Sequence, residues 1–193
     1  DIYRAPADGS NQFNPIPLGY LDRATIMGHY PVFSPDGSMI AIAHNKDRST
    51  IDTSTDVWLL RPNAYGEWRL NFRLTYHIGS GAPITRIAWN AAGTQLYYAQ
   101  GSLMGQGSSI RLLESLDTAV YYGRTLADGA GFSRSPDGGQ IAFLSQYDVD
   151  TFSYVSSPFL YLMNADGGNI RKLQAGFNPG LGGVGFRYLT PPL

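Results

Sequence analysis

The sequence of 193 residues contains no cysteine. Disulfides, thiolate nucleophiles and cysteine metal sites are excluded together. Lysine is nearly missing too: Lys46 and Lys172 stand alone, and arginine supplies the rest of the 14 basic residues. With 15 acidic residues and a net charge of −1, no basic stripe exists to neutralise phosphates, so nucleic acid is not an expected partner. The three histidines, His29, His44 and His77, show no short metal-ligand spacing. No apolar run approaches the roughly 18 residues of a membrane helix, so no direct membrane insertion is expected in this span. No secretory leader is visible. G-x-S-x-G, G-x-x-x-x-G-K-[ST] and H-E-x-x-H are all missing. The expectation is a span with no catalytic residue, no cofactor and no metal. "GLGGVG" (180–185) does match G-x-G-x-x-G, but that motif holds a pyrophosphate only between a strand and a helix N-terminus. Here Pro191 and Pro192 follow and forbid the helix, so the glycines read as a tight β connection.

What is present is apolar and repeated. Hydrophobic residues make up 43% of the chain, enough for one domain with a real core. "FSPDGSMIAIAH" (33–44), "WNAAGTQLYYAQ" (89–100) and "RSPDGGQIAFLS" (134–145) align. In each, a glycine (Gly37, Gly93, Gly138) closes a turn, and a short run of strand formers follows. A second run comes next: "DVWLLR" (56–61), "SIRLLE" (109–114) and "FLYLMN" (159–164), with "DIYRAP" (1–6) as a fourth copy. A more polar strand completes each unit: "WRLNFRLT" (68–75), "VYYGRTL" (120–126) and "NIRKLQ" (169–174). The turn glycines lie 56 and 45 residues apart, and no stretch shows a useful 3.6-residue period. This predicts an all-β chain with four strands per unit, which is the size of a β-propeller blade. Residues 28–75, 83–126 and 130–174 read as three whole blades, 1–18 as the outer half of another, and 183–193 could begin the next. An arc of about 3.5 blades falls short of the four to eight that close a ring. The expectation is therefore a piece of a longer chain, or an arc that another chain completes. Boundaries that fall in mid-unit favour the piece.

The pattern F-S-P-D-G-x-x-I-A, then D-[IV]-[WY], then "NADGGNIRKL" resembles the blade of the TolB-like, WD-repeat-related propellers over almost the whole chain. Three departures stand out: Ala91-Ala92 in place of Pro-Asp, Arg134 where Phe33 and Trp89 stand in the other units, and an outer turn near Leu116-Asp117-Thr118 without glycine. The resemblance implies an extracytoplasmic bacterial protein, periplasmic or on the cell surface, that docks other proteins in envelope-associated assemblies. It implies a non-catalytic scaffold, in a refined form an accessory subunit of a larger membrane-associated complex. Similar blades also precede the catalytic domain of prolyl-oligopeptidase-like serine peptidases, where they gate substrate entry. A glycan- or peptide-binding propeller is the third reading.

With strands a to d numbered from the axis outward, a meander puts the b–c loops and the d–a connections on one face. The a–b turns are tight, whereas the b–c loops 45–55, 100–108 and 146–158 are long. Loops on a rigid scaffold usually carry function, so this face is the candidate interaction surface, although such loops can also be tolerated insertions. The candidate residues are Asp47, Arg48 and Asp52 in the first loop, Met104 in the second, and Tyr147, Asp148, Asp150, Phe152 and Tyr154 in the third. The carboxylates lack the D-x-[DN]-x-[DN]-G order of a calcium loop and read as solvated loop charge. The aromatics are of the kind that anchors an interface, and equally of the kind that caps a propeller rim. A protein partner is expected, through this face or through open blade edges.

Overall fold

The computed structural model describes residues 2–4, 14–16, 26–29, 31–46, 55–75, 82–101, 107–120 and 122–174. They form strands β1 (Ile2–Arg4), β2 (Asn14–Ile16), β3 (Ile26–His29), β4 (Val32–Phe33), β5 (Ile40–Lys46), β6 (Thr55–Pro62), β7 (Trp68–Arg73), β8 (Ile84–Trp89), β9 (Leu96–Gln100), β10 (Ser109–Leu113), β11 (Arg124–Asp128), β12 (Ala130–Arg134), β13 (Gln140–Asp148), β14 (Ser153–Asn164) and β15 (Arg171–Gln174). Every strand pairing is antiparallel and between neighbours in sequence, with β3 and β4 both pairing β5 as one interrupted inner strand. β3 to β7, β8 to β11 and β12 to β15 are three successive meander sheets, and β1 and β2 pair as a two-stranded sheet. The sheets pack face against face along their inner strands. The chain is an all-β arc of propeller blades.

The turns explain why these strands form. In Ser34-Pro35-Asp36-Gly37, Gly37 N donates to Ser34 O at 2.9 Å, with Gly37 at φ +70°. Proline presets the first corner, and glycine accepts the positive φ. Asp36 ties the turn together by accepting from Ser34 Oγ (2.6 Å), Ser38 N (3.0 Å) and Ser38 Oγ (2.7 Å). These bonds hold its carboxyl at about 2, led by that from Ser34 Oγ. Asp137 repeats the arrangement in the third blade, accepting from Ser135 Oγ and Gly139 N. In the second blade Asn90 does this work instead. Its Oδ1 accepts from Thr94 N (2.8 Å) and Gln95 N (3.0 Å), which is why Ala91-Ala92 leaves the turn intact.

Ile40, Ile42 and Leu60 make a small cluster against Trp58 and Trp68, and two seams between blades form most of the core. In the first, Ala41, Ala43, Val57 and Leu59 of the first blade meet Ile87, Trp89, Leu96 and Tyr98 of the second, and Trp89 Nε1 donates to Val32 O at 2.9 Å. In the second, Tyr97, Ala99, Ile110 and Leu112 meet Phe132, Ile141, Phe143, Tyr161 and Met163 of the third blade. The middle blade is thus covered on both faces, and all five residues of β9 are buried. That is why β9 reads as an apolar run and not as an alternation. Arg134 is half-buried at the second seam. Its guanidinium donates to Trp89 O and, at 2.7 Å, to Gly138 O, and stacks over the Tyr97 ring 4.9 Å away. It stands at the register position that Trp89 holds in the second blade.

Two expectations about strand placement are corrected. The outer strand of the second blade, expected at 120–126, starts only at Arg124. Val120 instead bridges Thr75 in parallel, with its amide donating to Leu74 O at 2.9 Å. Gly123 then passes close over β10, where a Cβ would meet Leu112 O at 2.6 Å, and its amide donates to the buried Tyr98 hydroxyl at 3.0 Å. The second correction concerns 146–158, expected to be a loop. It is mostly strand, with β13 running to Asp148 and β14 beginning at Ser153.

Candidate functional site: a ribbon and the seam beside it

The pairing of β13 with β12 ends at Leu144, and that of β14 with β15 ends at Leu160. Beyond those points, among the described residues, the two strands pair only with each other, through Ser145↔Phe159, Tyr147↔Tyr154 and Asp148↔Ser153. They form a two-stranded ribbon on the face that also carries the Asp128–Ala130 connection from β11 to β12. A bulge lies at its base. There Ser145 Oγ accepts from Tyr147 N (2.9 Å), and Gln146 Nε2 donates to Ser156 O (3.2 Å). Bulges re-aim the strand that carries them and are frequent beside functional sites.

A latch holds the ribbon against the outer strand. Lys172 Nζ of β15 lies 2.6 Å from Asp148 Oδ1 and 3.1 Å from Asp150 Oδ2, and 4.1 Å from the centroid of the Phe159 ring. Asp148 also accepts from the Tyr161 hydroxyl (3.3 Å) and from Asp150 N (3.1 Å). Asp148 is therefore buried and not solvated loop charge as its sequence context suggests; the partner that offsets its burial arrives from a different strand. The bond from Lys172 holds the Asp148 carboxyl below its ordinary range, and the bond to Asp148 raises the Lys172 ammonium. Burial raises the Tyr161 phenol. The two carboxylates thus converge on the protein's own ammonium group, which takes the place a bound cation would have.

At the ribbon tip, Phe152 is 78% exposed and has φ +54°. A bulky residue rarely adopts this left-handed conformation, which favours glycine or asparagine. Tyr154 is exposed and packs edge-on against Tyr147, with ring centroids 5.3 Å apart. Of the residues singled out in the sequence, Tyr147, Asp148, Asp150, Phe152 and Tyr154 are thus gathered on one ribbon. Asp47, Arg48, Asp52 and Met104 lie outside the described residues, as do His77, the glycine run 180–185 and the tail 183–193. His29 and His44 are register partners across β3 and β5.

Beside the ribbon, along the second seam, is a cleft of about 300 Å³. Residues 125–128 of β11 line one side, and Phe143, Tyr147, Val149, Tyr161 and Ile170 line the other. A hollow of about 10 Å³ continues it toward the inner strands, again with Asp128, Ser145 and Tyr147 in its wall. Gly129 permits this close approach, since a Cβ there would meet Leu144 O at 2.7 Å. Asp128, Lys172 and Tyr161 were not singled out in the sequence. The signal available for Lys172 was its rarity as one of two lysines; Asp128 carried none.

No protein-family model and no curated protein matches the chain. Solved structures do. A puromycin hydrolase bound to PGG is similar over 78% of this chain and 22% of its own, at 17% identity and a TM-score of 0.53. A Bacteroides ovatus protein assigned as a dipeptidyl aminopeptidase IV is similar over 76% of this chain and 26% of its own, at 14% identity and a TM-score of 0.50. The β-propeller domain of the Trilobed protease from Pyrococcus furiosus gives 14% identity and a TM-score of 0.46 over 75% of this chain and 42% of its own. The chain spans less than half the length of each of these structures. At such identities the likeness is one of fold.

Proposed function

We propose that this chain is a non-catalytic, protein-binding propeller of the TolB-like kind, extracytoplasmic, acting through the face that bears the β13–β14 ribbon. The observation that carries the reading is Phe152: an aromatic ring held in the open, in a backbone conformation that glycine fits better, at the tip of a ribbon fixed by a lysine latch. Strain of this kind persists where surrounding structure enforces it, and it gathers at functional positions. A rigid aromatic anchor also loses little conformational entropy on binding. The SPDG and NADGG turns support the TolB-like assignment and with it the compartment.

The test is photo-crosslinking in the source organism from a benzophenone side chain at position 152. Tyr65, 89% exposed at the turn between β6 and β7, is the control on the opposite face. Discrete protein adducts from 152 and none from 65 are expected; equal labelling from both would sink the reading. Phe152→Gly is expected to abolish the adduct partner's binding while leaving stability equal or higher by up to about 1 kcal/mol.

A second reading has one observation behind it: the structures with TM-scores of 0.53 and 0.50 are, by their names, a hydrolase and a peptidase. On that reading the arc is the gating propeller of a serine peptidase. A G-x-S-x-G segment in the natural polypeptide beyond residue 193, with peptidase activity, would favour it over the scaffold.

A further inference from the structure

We propose that the cleft between the second and third blades is a docking site for a segment of a protein partner in which a large apolar side chain stands beside an arginine or lysine. This rests on the protein-binding reading and adds to it a second subsite with its own chemistry, apart from the Phe152 tip.

The shape and the charge each point to one part of that occupant. The cleft, about 300 Å³, sits at the lower end of ligand pockets and suits a side chain better than a folded element. Its walls are Leu126, Ala127, Val149 and Ile170, closed by Phe143 and Tyr161, whose rings stack 24° from parallel with centroids 5.5 Å apart. An apolar or aromatic group is what such walls stabilise. Asp128 lines the cleft, is exposed, and forms no ion pair among the described residues. Asp148 and Asp150 lie just past the Val149 wall and already share the ammonium of Lys172. Among the described residues, these three carboxylates meet the one ammonium of Lys172, so this rim carries residual negative charge. A carboxylate, a phosphate or an anionic lipid surface is disfavoured there, and a cation next to the inserted group is favoured. Guanidinium is the best match to a carboxylate, through paired hydrogen bonds. The site is preformed as well. Tyr147 and Val149 are held on the ribbon by the latch, so little ordering remains for binding to accomplish.

Selection of a random linear peptide library displayed on phage against the folded protein tests this. Enrichment of an aromatic or large aliphatic residue adjacent to arginine or lysine is expected. A synthetic peptide of the enriched sequence should lose about tenfold or more in affinity against Thr125→Trp, which fills the cleft from an exposed position of β11. Asp128→Asn, which preserves shape, should weaken binding severalfold and flatten its salt dependence. Asp128→Lys in the selection step should remove the preference for basic residues, and it serves equally if the tryptophan variant does not fold. Tyr65→Ser, at the turn on the opposite face, should leave the peptide's affinity unchanged. Loss of the crosslinks at position 152 with peptide binding intact strikes the ribbon-tip reading, and failure at the cleft strikes this one. Enrichment of acidic peptides, no enrichment, or undiminished binding to Thr125→Trp would overturn the docking site.

Discussion

Tyr98 shows how much one side chain can carry in a blade that is covered on both sides. Its ring is fully buried in the first seam, and its hydroxyl oxygen accepts from Gly123 N at 3.0 Å. Burial raises its phenol above the ordinary value of 10.0, so it stays neutral and keeps its packing role across the working range of pH. The amide it satisfies belongs to Gly123, just before β11 begins. Tyr98→Phe keeps the ring and orphans that amide, and an unsatisfied buried donor costs about 1–3 kcal/mol. The expected result is a lower denaturation midpoint with unchanged denaturant slope, and faster hydrogen exchange at Gly123; an unchanged midpoint would mean that water reaches the amide. The same scale shows what the sequence disclosed. Ser-Pro-Asp-Gly states its own turn, because each residue meets a local need. Asn90 replacing Ser and Asp together in the second blade is legible only once its two amide partners are seen. Arg134 departs from the aromatic of the other units, and its guanidinium makes a three-way contact with Trp89 O, Gly138 O and the Tyr97 ring.

Among the elements, the ribbon is where sequence and structure part furthest. Residues 146–158 carry two aspartates, several serines and a proline, and by composition they are a loop. They become strand because the β13–β14 hairpin simply continues, and because Lys172 on β15 pairs with both aspartates. Strand order could be read from turns and apolar runs, which are local. The latch could not, since its members come from different strands. Its dependence on pH has a definite sign. Asp148 is depressed from the ordinary 3.8, so its contribution is complete above that value and is lost as pH falls through the lower, folded-state value. Lys172 is raised from the ordinary 10.5, so its contribution is complete below that value and is lost as pH climbs past the higher, folded-state value. Between these limits the ribbon is latched. Hydrogen exchange at Tyr147 and Tyr154 is therefore expected to accelerate at strongly acid pH beyond its intrinsic dependence, while the β13 residues paired with β12 stay protected. Lys172→Met should give an unlatched ribbon at neutral pH, with Asp148 left buried without its cation. A ribbon equally protected in the variant would show that strand pairing alone suffices.

At the scale of the molecule, the two seams make the arc a chain of nearest-neighbour contacts. The first and third blades communicate through the middle one, whose strand β9 is buried on both faces. Arrays of this kind behave as sums of unit stabilities and interface terms. A change in one seam should then be felt most by the blade across that seam. Trp89 gives the cleanest trial, since its ring fills the first seam and its Nε1 donates to Val32 O in the first blade. Trp89→Ala removes a large buried ring, and such changes cost about 3–5 kcal/mol. Hydrogen exchange is expected to show a large loss of protection in β5 and β6, whose only described seam with another blade is this one. Strands β13 and β14 should lose less, because the second seam and Arg134 still hold them to the middle blade. The candidate cleft lies wholly on that second seam, so its geometry should survive, and the same variant should retain affinity for a cleft-binding peptide where it remains folded. An equal loss of protection across all three blades would instead mean that the arc unfolds as a single cooperative unit, with the blades having no separate stabilities for the seams to couple.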